Sequence, residues 1–315
     1  MLIVMLDAST LGDDIDFSSL NSFGEVKIYG KTAPCDVAER IENADIVIVN
    51  KVKMNSEVLC SAEKLKLICI TATGYDNIDV KYCAERGIKV ANTPSYSSFC
   101  VAQITVSVAC YLMTHLGEYR DFVHSGSYSE SGIANRLTPI YHEFYGKTWG
   151  IIGYGNIGKV VANVALALGC DIIVNKKTPV TEVRCVDIKT LAKESDIISI
   201  HCPLTSETEN LINKDIFDIM KKGAIVINMA RGGVWNENDA ASALLSGKIG
   251  GLGCDVYSSE PFDKSHPFSK ILGMENVCLT PHMAWGALEA RKRCFDIVVS
   301  NIRAFLDGNE KNVVN

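Results

Sequence analysis

Residues 148–169 read TWGIIGYGNIGKVVANVALALG. TWGII is a short apolar run with strand character. Gly153-Tyr154-Gly155-Asn156-Ile157-Gly158 is a G-x-G-x-x-G turn, and IGKVVANVALALG continues as a helix. Each glycine meets a separate demand. Gly153 permits the tight turn, Gly155 lets the backbone approach a pyrophosphate, and Gly158 lets the helix pack against the strand. The helix N-terminus offers free N–H groups and the positive end of its dipole, with Asn156 and Ile157 on the turn itself. The hexapeptide alone is a weak signal. Its flanking strand and helix make it a dinucleotide site.

The next strand, CDIIVN, bears on which dinucleotide. Such sites place an acidic residue about 20 positions on, at the end of the second strand, to hold a ribose hydroxyl. Here that strand ends in Lys176-Lys177, and Asp171 comes too early. A lysine attracts the 2′-phosphate of NADP, which a carboxylate repels. The expectation leans toward NADP(H) through Lys176, with NAD(H) left open.

The same rhythm runs to both sides. LIVML, VKIYG, DIVIVN, LKLICI and IKVAN alternate with helix-like intervals before Thr93-Pro94. CDIIVN, SDIISIH, GAIVINM, IGGLGCDVY and NVCLT follow Gly146. Short β-rich runs between helices imply βαβ units and parallel sheets, hence an α/β fold. A long uncharged helix is expected from about Tyr96 to Gly117, an irregular connector over Tyr119–Gly146, and a closing helix over Ala287–Phe305.

Composition narrows the class. The chain has 315 residues, enough for two domains. Lys and Arg total 31 against 37 Asp and Glu, a net charge of −6, which speaks against nucleic acid or an anionic membrane as partner. No secretory leader is read in MLIVMLDAS. Phe99–Met113 is too short for a membrane span of about 20 residues. The 12 cysteines sit mostly in apolar runs without Cys-x-x-Cys spacing, so no metal site is expected. They read as reduced small hydrophobes in a cytoplasmic protein.

Three islands follow strands: Asn228-Met229-Ala230-Arg231-Gly232-Gly233, Asp255-Val256-Tyr257-Ser258-Ser259-Glu260-Pro261, and Leu279-Thr280-Pro281-His282-Met283-Ala284-Trp285. Ligands of open α/β sheets sit at the carboxyl ends of strands. An Arg, a Glu and a His at three such ends are the parts of an acid–base site. His115, His124, His142 and His266 show no such company in the sequence and are read as structural. His201 is given no catalytic role.

With ATGYDNID (Ala72–Asp79) and SDIISIHCPLTSET (Ser195–Thr208), these motifs resemble the D-isomer-specific 2-hydroxyacid dehydrogenases over the whole chain. Trp285 after PHMA resembles the glycerate dehydrogenase/hydroxypyruvate reductase branch. The resemblance implies two Rossmann-like or flavodoxin-like domains, one inserted in the other. The substrate domain would be 1–97 plus 287–315 and the NAD(P)-binding domain 98–286, with substrate in the cleft and hinge closure excluding water. No appended regulatory domain is expected.

The resemblance also implies roles. His282 is the general acid toward the carbonyl oxygen, and Glu260 orients it and favours the imidazolium. Arg231 holds the carboxylate and keto oxygen of the substrate. Lys51, Thr73, Gly74 and Trp285 join Arg231 and His282 in substrate binding. Asp255 is the nicotinamide contact. Cys202, Pro203, Thr208, Met229, Ala230, Arg231, His282 and Ala284 line the cofactor edge. The side chain accepted depends on loops around Met54, Tyr75, Tyr96 and Trp285.

The expected activity is reduction of a 2-keto acid such as hydroxypyruvate or glyoxylate with NAD(P)H. A dinucleotide-sensing binding module like the family's corepressors is the alternative, disfavoured by the lack of long disordered flanks. An L-lactate-type dehydrogenase fails on order, because its glycine turn belongs near the N-terminus. A homodimer contact is expected around the helix after Pro94 and the connector.

Overall fold

The computed structural model describes residues 1–315. The chain forms two units: Met1–Ser97 with Gly286–Asn315, and Ser98–Trp285. Gly286 thus groups with the chain ends, one residue away from the expected boundary.

The first unit holds a five-stranded sheet. Its strands are β1 (Leu2–Met5), β2 (Glu25–Ile28), β3 (Ile46–Val49), β4 (Leu67–Ile70) and β5 (Lys89–Ala91). The order is β2-β1-β3-β4-β5 and every pairing is parallel. β3 and β4 are buried throughout, as their unbroken IVIV and LICI runs require, whereas edge strand β2 is largely exposed. The C-terminus completes this unit. The helix Leu288–Leu306 buries Ala290, Cys294, Phe295, Val298 and Ile302. Val314 N–H then donates to Val90 O at 2.9 Å, so the last residues run along β5.

The second unit holds a seven-stranded parallel sheet. Its strands are β6 (Thr148–Ile152), β7 (Asp171–Asn175), β8 (Arg184–Cys185), β9 (Ile197–Ile200), β10 (Ala224–Asn228), β11 (Ile249–Cys254) and β12 (Val277–Leu279). The order is β12-β11-β10-β9-β6-β7-β8. Strand order reverses between β6 and β9, the switch point where doubly wound sheets bind dinucleotides. Trp149 is fully buried in β6, and its Nε1–H donates to Ser199 Oγ of β9 at 2.9 Å. The two-residue β8 was not expected. It carries too short a run to stand out from its surroundings.

The helix after Pro94 departs from expectation. It spans Ser98–Thr114, and a second helix, Leu116–His124, follows at an angle of 65°. The break is His115, which is left-handed at φ 50°, with its ring Nδ1 2.9 Å from Glu118 Oε1. Beyond it, Tyr111 packs so close to Gly117 that a Cβ there would lie 2.2 Å from the phenol oxygen. The expected irregular connector therefore begins with helices Leu116–His124 and Ser127–Ser131. No single helix is long and apolar enough to cross a membrane.

Candidate active site

The three expected islands lie at the carboxyl ends of β10, β11 and β12, all in the second unit. Each is shaped by a buried polar side chain. After β10, Asn228 accepts from Ala230 N–H at 3.0 Å and donates to Arg231 O at 2.9 Å. This clamp fixes the residues around Arg231, whose Nη1 donates to Ala230 O at 2.8 Å. Gly232 then packs on the Tyr257–Ser258 peptide, where an added Cβ would come within 2.2 Å of Ser258 N. The Arg231 turn and the loop leading to Glu260 are thereby in direct contact.

Glu260 is held at both oxygens. Oε1 accepts from Tyr257 N–H at 3.0 Å, and Oε2 lies 2.6 Å from His282 Nδ1. His282 itself is left-handed at φ 53°, a conformation a non-glycine residue keeps only when its surroundings impose it. Asp255 imposes it. This carboxylate is almost fully buried, and it accepts from Thr280 Oγ1 at 2.6 Å, Met283 N–H at 2.8 Å and Ala284 N–H at 2.9 Å. Tyr257 Oη adds a bond to Thr280 O at 2.8 Å. Asp255 was expected as a nicotinamide contact. Whatever it offers a cofactor, its bonds also make it a tether for the His282 loop.

With Nδ1 given to Glu260, His282 Nε2 has no hydrogen-bond partner and is the nitrogen left to meet a reacting oxygen. An imidazole fixed by a carboxylate, beside an arginine-bearing turn, can deliver or remove a proton at one defined atom.

The glycine turn fits a dinucleotide. Gly153 has φ 94°, and a Cβ on it would strike Cys202 N at 2.5 Å. A Cβ on Gly158 would lie 2.3 Å from Gly153 O, so helix and strand close up there. At Gly155 a Cβ would meet nothing within 4 Å, and this residue caps the helix Asn156–Ala167 without any side-chain bond. Open space at the Gly155 Cβ position, beside a helix N-terminus, leaves room for a pyrophosphate to approach. Cys202 is buried at the turn, and burial pushes its thiol up to about 11. Met229 and Ala230 are buried at the end of β10, and Ala284 is buried with its carbonyl 2.8 Å from Cys100 Sγ. Thr208 Oγ1 staples its own loop, donating to Pro203 O at 2.6 Å and accepting from Thr205 N–H at 2.8 Å. Of the two lysines, Lys177 is paired with Glu207 at 2.6 Å, an acid the sequence reading did not connect to this place.

In the first unit, Lys51 follows β3, and Thr73 and Gly74 follow β4. Buried Asp7 accepts from the N–H groups of Asn50 (2.9 Å), Lys51 (2.6 Å) and Val52 (3.3 Å). Its carboxyl titrates above the usual range, because desolvation outweighs those three bonds. Thr73 Oγ1 donates to Thr93 O at 2.9 Å, and Asn92 Nδ2 donates to Thr73 O at 2.8 Å. Both loops are thus fixed within their own unit.

Two expectations about histidines change. His266 is not without company: its Nε2 lies 3.0 Å from Glu237 Oε2, and both residues are buried. His115 pairs with Glu118. Glu237 and Asp7, and the clamping role of Asn228, are not readable from the sequence because nothing in their local patterns marks a carboxylate or amide that folds onto a loop.

An imidazole–carboxylate pair at the strand ends of a parallel sheet with an open glycine turn fits a nicotinamide-dependent oxidoreductase. Residues 106–284 match the model described as the D-isomer specific 2-hydroxyacid dehydrogenase, NAD binding domain. The chain is 38% identical over its full length to the full length of a hydroxypyruvate reductase from Blautia hydrogenotrophica. An acyclic imino acid reductase in complex with NADPH and D-Arg superposes with a TM-score of 0.87 at 28% identity, covering all of both chains. A D-lactate dehydrogenase from Aquifex aeolicus complexed with NAD and lactic acid gives 0.86 at 28% identity, over 98% of this chain and 96% of that one. The chain belongs to the D-isomer-specific 2-hydroxyacid dehydrogenases, and it acts on the CH–OH group of its donor with a nicotinamide dinucleotide.

Proposed function

We propose that the chain reduces a short 2-keto acid, hydroxypyruvate or glyoxylate, to the D-2-hydroxy acid, and runs the reaction in reverse. The observation that carries the chemistry is the 2.6 Å contact between Glu260 and His282 Nδ1, which leaves Nε2 to give its proton to the carbonyl oxygen. A bound nicotinamide dinucleotide supplies the hydride. Arg231 holds the substrate carboxylate and keto oxygen with its planar fork. Glu260 orients the ring through Nδ1, and Asp255 keeps its loop in place. Lys51, Thr73, Gly74 and Trp285 keep their substrate roles in this proposal on the strength of the family motifs. The choice of a short substrate follows the Trp285 signature and the hydroxypyruvate reductase relative.

A panel of 2-keto acids, followed by loss of the nicotinamide absorbance with NADH and NADPH, tests the reading. The highest kcat/KM is expected with hydroxypyruvate or glyoxylate. A tenfold preference for a branched or aromatic 2-keto acid sinks the substrate assignment. Tight dinucleotide binding with no turnover on any member points to a binding module instead.

The lean toward NADP(H) rests chiefly on Lys176, because Lys177 already has Glu207 as its partner. Lys176→Ala is expected to weaken NADPH binding about tenfold relative to NADH in a fluorescence titration, a difference of about 1.4 kcal/mol. An unchanged ratio removes the argument for NADP(H).

A homodimer is part of the same proposal. Phe99, Leu137, Ile140 and Tyr145 expose 70%, 72%, 71% and 78% of their surface in the segment after Pro94, and covering them is what a second copy would do. Light scattering of a strict monomer overturns it. All 12 cysteines are free, and seven are buried, which supports a reducing, cytoplasmic setting.

A further inference from the structure

Glu237 opens the helix Glu237–Leu245, and it lies nearly buried behind the catalytic loops. Its Oε1 accepts from Ser258 N–H at 2.9 Å. Its Oε2 accepts from Ser258 Oγ and lies 3.0 Å from His266 Nε2. His266 Nδ1 in turn accepts from Phe268 N–H at 3.2 Å, so Nε2 carries the proton and donates to Glu237. The imidazole is boxed by rings: Phe262 stacks on it at 4.6 Å between centroids, Phe268 meets it edge-on at 5.2 Å, and Tyr257 at 6.0 Å. The carboxylate therefore has three donors, all fixed, on the first turn of its helix.

The peptide that Glu237 grips is the one that aims the chemistry. Ser258 is gripped at both N–H and hydroxyl, and the residue before it, Tyr257, gives its N–H to Glu260 Oε1. Glu260 Oε2 meets His282 Nδ1. The same Tyr257–Ser258 peptide is the surface against which Gly232, next to Arg231, is packed. Tyr257 Oη reaches Thr280 O, two residues before His282. One buried carboxylate thus fixes the peptide shared by the loops of Arg231, Glu260 and His282. We infer that Glu237, with His266 behind it, is a positioning residue for the acid–base site: it sets where Glu260 points and so how His282 is held, without touching substrate. The inference rests on the proposed roles of Glu260 and His282. A displacement of about 1 Å in such a frame is enough to cost 10²-fold in rate.

Glu237→Gln tests it, because the amide keeps the shape but brings two donors into a place built for an acceptor. Expected are a kcat lowered about 10- to 100-fold, with KM and the dinucleotide Kd each within about threefold of the parent. A second readout needs no turnover. In protein labelled with ¹⁵N-histidine, the downfield Nδ1 proton held between His282 and Glu260, assigned by its loss in His282→Asn, is expected to weaken or vanish in Glu237→Gln. Loss of thermal stability with unchanged kcat and an unchanged proton signal overturns the inference and leaves Glu237 a packing residue. If Glu237→Gln does not fold, Ser258→Ala removes one of the three bonds. It is expected to lower kcat severalfold with the same proton shifted, and parental kcat and signal there overturn the inference equally. Should the parent reduce no 2-keto acid at all, the functional reading fails, while the proton signal still decides the positioning role.

Discussion

Besides His115–Glu118, the second unit contains two carboxylate–imidazole pairs of similar make-up and opposite placement. Glu260 and His282 meet at 2.6 Å with side chains 31% and 24% exposed; Glu237 and His266 meet at 3.0 Å at 7% and 5%. In the exposed pair one ring nitrogen has no partner. In the buried pair both nitrogens are used, one on Glu237 and one on Phe268 N–H. A fully bonded imidazole has nothing left to offer a substrate, so it serves as structure. A half-bonded imidazole in reach of solvent keeps one nitrogen for a substrate. The residue types are the same, and the count of satisfied nitrogens separates what the two rings can offer a ligand.

The difference breaks most visibly at His282. Its replacement by Asn is expected to lower kcat by 10²-fold or more, the usual range for removing a general acid. Unfolding free energy should stay within about 0.5 kcal/mol of the parent, as for surface changes that touch no buried feature. Steady-state kinetics and denaturant unfolding on one preparation check both halves. Turnover near the parental rate refutes the assignment of the acid.

His266→Asn should give the converse pattern. Glu237 loses one of three donors, and a buried acceptor left short of a partner costs about 1–3 kcal/mol. Denaturant unfolding is expected to show a loss of about 2 kcal/mol within that range. Turnover should fall only a few fold, since Ser258 still grips Glu237 at two points. A stability equal to the parent, or a rate loss as deep as that of His282→Asn, would erase the distinction between the pairs.

The exposed pair was legible in the sequence and the buried one was not. Arg231, Glu260 and His282 each follow a strand run, and the carboxyl end of a parallel strand is where function gathers. The apolar runs also placed all but the shortest strand. They report how much of a backbone is buried, and β3 and β4 announce that plainly. They do not report which polar side chains meet. Glu237 and His266 stand 29 residues apart, on a helix start and in a loop, with no spacing that links them. Lys177 and Glu207, 30 apart, were hidden for the same reason. The break at His115 was hidden too, because the uncharged run passes through it and only a left-handed residue at φ 50° reveals the bend.

A third histidine sharpens the comparison by having no carboxylate at all. His201 follows β9, and its Nε2 lies 3.0 Å from Ser199 Oγ, which also accepts from Trp149 Nε1–H. Ser199 has one proton to give, and giving it to Nε2 leaves the proton of His201 on Nδ1, which is buried without a partner. With no anion to favour the imidazolium, desolvation alone acts and holds the ring at about 3 against an ordinary 6.5. Between those values the folded chain binds fewer protons at this site than the unfolded chain. Stability therefore rises with pH across that window, and it is lost as pH falls from 6.5 toward 3. The slope from this one group is at most about 1.4 kcal/mol per pH unit. His201→Asn removes the titration but leaves every carboxylate in place. The difference in unfolding free energy between parent and variant, followed by tryptophan fluorescence from pH 7.5 to 5, should be flat above 6.5. Below it, the parent should lose ground steadily. A difference that stays constant down to pH 5 would mean that His201 takes up its proton in the folded chain as readily as in the unfolded one. Burial without an anion would then not be what separates it from the paired histidines.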